Sequence, residues 1–316
     1  MPSSPAAAFL PSVAVVPLRR GGRRLTAVAA LAGACLAGAV ALSPAPVAAQ
    51  MTVVPVETPA TVDARLDALM TALQLPEVIA IMRAEGLEHA RTLQSDLLGG
   101  RGGAGWDRSA ARIYDADRME RAVAERTAAA LRADPDAVVQ ALEFFDSPRG
   151  QRIIELENSA RRAMLDPDVE AAARAQADAL IDEDGTALAL LRRFIDANDL
   201  VESNVEGGLN ANFAFYVGLR DSGVPAFDLH EREMLADVWS QEATLRADTE
   251  AWLLAYLGMA YRPLPEADLE AYIAFSETAE GTALNRALFS AFNALFVDVS
   301  RELGLAAGLV LLEQDL

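Results

Sequence analysis

The chain has 316 residues, with 46 Asp and Glu against 27 basic residues, all of them arginine. Its formal net charge is −19 and its pI is about 4.5. The lack of lysine excludes Schiff-base chemistry, a P-loop lysine and a lysine general base, and so acidic a balance argues against a nucleic-acid partner, because phosphate recognition needs a basic footprint.

Residues 1–50 carry no acid but four arginines, Arg19, Arg20, Arg23 and Arg24. An apolar run from Leu25 to Leu42 follows, then Pro44, Pro46 and Val47-Ala48-Ala49. A basic start, an apolar middle and small residues before a cut site predict a secretory signal peptide over 1–49. The Ala- and Gly-rich run is a poor membrane span. Arg23-Arg24 admits twin-arginine export as well as the general route. Lipidation at Cys35 is the weaker reading, since Ala32 stands where a lipoprotein box wants leucine and the apolar run continues past the cysteine. The expected location is therefore periplasmic or secreted. Without this segment 23 arginines face 46 acids, a net charge of −23, and no cysteine remains. Thiolate chemistry and cysteine metal sites are then excluded.

From residue 51 on, apolar periodicity is helical and no alternating run reaches strand length. Val62, Leu66, Leu69, Met70 and Leu73 form the first stripe. The glycine run 99–105 reads as a connector into a helix starting near Asp107. A phosphate cradle would need a preceding strand and Gly-Lys-Ser/Thr. Asp134-Pro135, Ser147-Pro148 and Asp166-Pro167 each pair a capping side chain with proline at the first helical position. The Asp182-Glu183-Asp184-Gly185 turn is a junction, since it lacks the spaced ligands of a calcium loop. Gly207-Gly208 precede Asn210, Asn212 and Tyr216, a candidate polar ligand groove, although packing asparagines explain the segment as well. Asp228 and Glu231 have capping-box spacing. Trp239, Trp252, Tyr256 and Tyr261 read as core. A second stripe runs through Leu284, Leu288, Phe292, Leu295, Phe296, Val299 and Leu303. The expected fold is all-α, a bundle of two tandem, similar multi-helix units over 51–184 and 185–316.

The two-unit expectation rests on a repeat at an offset of 131 residues. Leu142, Phe144, Asp146, Ser147 and Gly150 align with Ile273, Phe275, Glu277, Thr278 and Gly281. In each copy an amphipathic helix ends in phenylalanine, a hydroxyl caps the next helix, and a glycine in its first turn admits close approach. A shorter echo links Ala72–Glu77 with Ala197–Glu202. The run Phe144-Phe145-Asp146-Ser147-Pro148-Arg149-Gly150-Gln151 resembles the signature of the domain-of-unknown-function 2059 family. The stretches Glu157–Asp166 and Met234–Glu242 are similar to its members too. The resemblance implies an exported bacterial helical protein of the envelope and supplies no catalytic residues. The second copy is divergent, with Ala279 in place of proline and Thr282 in place of glutamine. Phe144, Ser147, Pro148, Gly150, Gln151, Phe275, Thr278 and Gly281 are accordingly expected to be structural.

No catalytic constellation emerges. His230-Glu231 begins a zinc-helix motif, but Met234 stands at its closing position. Glu85 and His89 fall at i and i+4, two ligands where a catalytic zinc site takes three. No G-x-S-x-G elbow is present. No metal or cofactor is expected. The reading is a non-catalytic binding or interaction module with an envelope protein or small ligand as partner. A carboxylate hydrolase of envelope material, with a buried acid pair in a cleft, and a small-ligand carrier using Asn210, Asn212 and Tyr216 are the alternatives.

Overall fold

The computed structural model describes residues 59–313. The expected signal segment, with Cys35 and its arginines, lies outside the described residues. These residues form thirteen α-helices and one short 3-10 turn, Pro225–Phe227, with no strand among them. The first seven helices are α1 (Pro59–Ala72), α2 (Leu75–Asp96), α3 (Gly103–Ile113), α4 (Ala116–Leu131), α5 (Pro135–Phe145), α6 (Pro148–Ala163) and α7 (Pro167–Glu183). The remaining six are α8 (Thr186–Ala197), α9 (Leu200–Asp221), α10 (Glu231–Trp239), α11 (Glu242–Tyr261), α12 (Glu266–Ser276) and α13 (Ala279–Leu312). None of these helices is long and apolar enough to cross a membrane.

The cap–proline pairs start helices where the sequence puts them. The Asp134 carboxylate accepts from Ala137 N, the Ser147 hydroxyl from Gly150 N and the Asp166 carboxylate from Asp168 N. Each cap satisfies an orphan donor and contributes about 1 kcal/mol. Three details differ from the sequence reading. The helix after the glycine run starts at Gly103, because only Gly99, Gly100, Gly102 and Gly103 adopt positive φ and the chain is helical beyond them. The capping box at α10 lies two residues later than Asp228 and Glu231: His230 N donates to the Glu233 carboxylate at 2.9 Å, since the 3-10 turn and its exit occupy Asp228 and Leu229. Trp239 is not core but 64% exposed, at the last position of the short α10.

One hydrophobic core runs from Val62 to Ala307 and draws on both halves of the chain. The long α13 packs on α9 and also on α4 and α5. α11 packs on α7, α6 and α9. Glycine makes the α9–α13 contact close. A Cβ on Gly218 would meet the Arg301 carbonyl at 2.1 Å, and one on Gly304 the Phe215 carbonyl at 2.1 Å. The α5–α6 and α12–α13 corners match in detail. Ser147 Oγ donates to Phe144 O at 2.6 Å, and Thr278 Oγ1 donates to Phe275 O at 2.7 Å. Gly150 and Gly281 lie against those same carbonyls, too close for a Cβ. The α1–α2 and α8–α9 corners match too, with Gln74 (φ 51°) and Asp199 (φ 50°) in the left-handed region. Phe144 stacks on Phe275, with ring centroids 4.6 Å apart and planes 13° from parallel.

Candidate binding cleft

The left-handed Gln74 turns the chain from α1 into α2 and directs its amide toward α6. Gln151, in the first turn of α6, donates to Ala72 O and to Phe145 O, both at 2.7 Å. Its own carbonyl accepts from Gln74 Nε2 at 3.2 Å. Asn158, two turns along α6, donates to Gln74 Oε1 at 3.2 Å. Three amides therefore bolt the start of α6 to the α1–α2 corner, and each bond offsets the cost of removing a polar group from water.

Beside this chain opens a cleft of about 610 Å³. Its walls are Asp67, Met70 and Thr71 of α1, Glu77 of α2, Glu120 and Ala124 of α4, and Glu155, Ser159 and Arg162 of α6. Glu77 pairs with Arg162. Asp67 and Glu120 have no ion-pair partner among the described residues. A second hollow of about 340 Å³ shares Asp67, Met70 and Ala124 and continues along α1 and α4 over Leu66 and Ala128, with Asp63, Glu125 and Arg132 at its edge. Together they form a groove with an apolar floor and a mainly acidic rim.

The opposite face of α6 holds the second polar feature. Arg161 donates to both oxygens of Glu85, at 2.9 and 2.7 Å, and is only 6% exposed. Burial works against the Arg161 charge, but the Glu85 carboxylate outweighs it and holds the guanidinium above its ordinary value. Glu157, one turn earlier, is buried with no cation at ion-pair distance among the described residues. Tyr261 OH donates to its carboxyl at 2.5 Å, and Tyr256 OH to its backbone carbonyl at 3.2 Å. Burial pushes the Glu157 carboxyl up to about 7, against the opposing pull of the Tyr261 hydrogen bond.

The remaining sequence candidates are spread out. Asn212 donates to Gln241 at 3.1 Å, and Tyr216 bonds Asp237 at 2.5 Å, so both face the α10 side. Asn210 is exposed and does not join them. Gly207 and Gly208 lie buried inside α9 and form no flexible loop. His89 is held down at about 4 by burial, and its Nε2 has no partner among the described residues. Glu85, four residues earlier, is committed to Arg161. No group of three His, Cys, Asp or Glu side chains among the described residues is arranged to hold a metal ion. The deeply buried acid Glu157 lies on the far side of α6 from the groove. Of the motif residues, Gln151 alone reaches from the α5–α6 corner to the α1–α2 corner. Sequence reasoning missed Glu157, Arg161 and Gln74 as a set. The available signal was a glutamate and an arginine on the face of α6 that also carries Ile153, Ile154 and Ala160. The chain matches no protein-family model, and no curated protein or solved structure matches it significantly.

Proposed function

We propose that this is an exported, non-catalytic helical binding module of the bacterial envelope, built from two similar units over 51–184 and 185–316, that takes a cationic amphipathic segment of a partner protein in the α1–α4 groove. The observation that carries the reading is the pairing of an apolar floor (Leu66, Met70, Ala124, Ala128) with rim carboxylates at Asp67 and Glu120 that lack counter-ions among the described residues. A segment presenting arginine or lysine on one face and aliphatic side chains on the other complements both features, and charge complementarity would set its on-rate and orientation. Support for the two-unit reading comes from the matching Ser147 and Thr278 corners, the left-handed Gln74 and Asp199, and the stacking of Phe144 on Phe275. Export, and the likeness to the domain-of-unknown-function 2059 family, rest on the N-terminal pattern and on the Phe144–Gln151 motif.

The test is fluorescence anisotropy with a synthetic arginine-rich amphipathic peptide at low and at high salt. Binding is expected to weaken with salt, as rim contacts are screened, and to be lost in Asp67→Arg with Glu120→Arg. Equal affinity for that double variant, or for a peptide of inverted charge, overturns the assignment.

A further inference from the structure

We propose that Glu157 is a proton-operated latch between α6 and α11, closed while its carboxyl is neutral and loosened when it ionises. The geometry starts with the company the carboxyl keeps. Tyr256 and Tyr261 of α11 both bond to Glu157, and Tyr272 of α12 lies close enough to feel its charge. The one cation near Glu157 among the described residues, Arg161, is engaged on two nitrogens by Glu85 of α2. Tyr114, in the α3–α4 turn, is raised by burial and by Glu85 and stays neutral. Burial and the nearby Glu157 charge hold Tyr256 and Tyr261 well above their ordinary value, so neither titrates near neutrality. His89, one turn beyond Glu85 on α2, is held at about 4 and stays neutral too.

With Glu157 neutral, the buried cluster is the balanced Glu85–Arg161 pair. Loss of the proton to solvent adds a second buried negative charge, with one phenol hydrogen bond to meet it. A buried charge without a counter-ion is relieved by admitting water, and the route open to it is separation of α6 from α11. Glu155, Asn158, Ser159 and Arg162 on the other face of α6 form a wall of the groove. The state of the latch therefore acts on that wall, whatever occupies the groove.

The latch is tested on the chain from residue 51 onward by amide hydrogen exchange at about pH 6 and about pH 8, corrected for intrinsic rates. Protection in α6 and α11 is expected to fall on the order of tenfold per pH unit as pH approaches the midpoint from below and to level off above it, and to be equal at both pH values in Glu157→Gln. An unchanged fall in Glu157→Gln overturns the latch, as does a fall that vanishes in a His230→Gln control instead. Carboxyl carbon-13 titration of the unsubstituted protein decides the matter if Glu157→Gln does not fold. A Glu157 midpoint near neutrality supports the latch, and one in the ordinary carboxylate range overturns it.

Discussion

Glu85→Gln is expected to destabilise the protein severely, and the reason can be isolated inside this one chain. Arg161 and Glu85 form a bidentate pair at 2.9 and 2.7 Å, with side chains only 6% and 15% exposed. Arg193 and Glu277 form a bidentate pair of nearly the same geometry, at 2.8 and 2.6 Å, but are 51% and 42% exposed. Geometry is matched and burial is not. Removing one partner of a buried pair strands the other charge in low dielectric and costs about 3–5 kcal/mol. Glutamine keeps the shape of Glu85 and one acceptor but cannot cancel the Arg161 charge. With a urea slope of roughly 2.5 kcal/mol per molar, the midpoint should drop by about 1–2 M. Glu277→Gln should leave the midpoint unchanged, because water already solvates Arg193. Urea unfolding followed by circular dichroism, with the slope fitted for each variant, is the assay. Equal midpoint shifts in the two variants would refute the argument, since burial would then not decide the cost.

Other consequences can be checked with the same assay. Glu157 binds its proton more tightly folded than unfolded, because burial lifts it from an ordinary 4.5 to about 7. Relative to Glu157→Gln, the protein should therefore lose about 3 kcal/mol as pH rises across that window, and nothing further above it; a pH-independent difference between the two would contradict this. Gly218→Ala should cost about 3 kcal/mol or more, because its Cβ would meet backbone at 2.1 Å. Gly105→Ala, with nothing within 4 Å inside α3, should be neutral or stabilising by up to about 1 kcal/mol. Ser147→Ala should lower stability by about 1 kcal/mol, whereas Ser147→Thr should be tolerated because threonine already caps the matching corner at Thr278.

The helices and most of their starts were legible because their causes are local. Apolar stripes at helical spacing and side chains placed three residues before an N–H determine them without tertiary help. Asp134, Ser147 and Asp166 cap as their neighbours dictate. Trp239 failed as a core residue because aromatic character says nothing about which side of a nine-residue helix is covered. The groove was hidden for a different reason. Asp67, Glu120 and Arg162 are remote in sequence and ordinary as surface residues, and only the packing of α1, α4 and α6 sets them around one hollow. Gln74 was hidden because its role depends on a left-handed backbone, which nothing in glutamine itself announces.

The Glu157 cluster also has a control built into the sequence. At the offset that maps Ser147 onto Thr278, Glu157 maps onto Leu288 and Arg161 onto Phe292. Phe292 is buried and Leu288 packs against the core, so the corresponding helix face is filled with hydrocarbon in α13. Replacing a buried ion pair with apolar side chains of similar volume is often neutral or stabilising by about 1–4 kcal/mol. Stability alone therefore does not account for a glutamate and an arginine on the α6 face when the helix at the matching offset dispenses with both. The triple replacement Glu85→Leu, Glu157→Leu and Arg161→Met separates the two explanations. If the cluster is a switch, the triple variant keeps or gains stability, and amide protection in α6 no longer changes between acid and alkaline buffer. If the cluster is a strut, the variant loses several kcal/mol, as a single broken pair would. A large loss of that kind would remove the case for a latch on physical grounds, since the polar contacts would then be explained by the stability they supply.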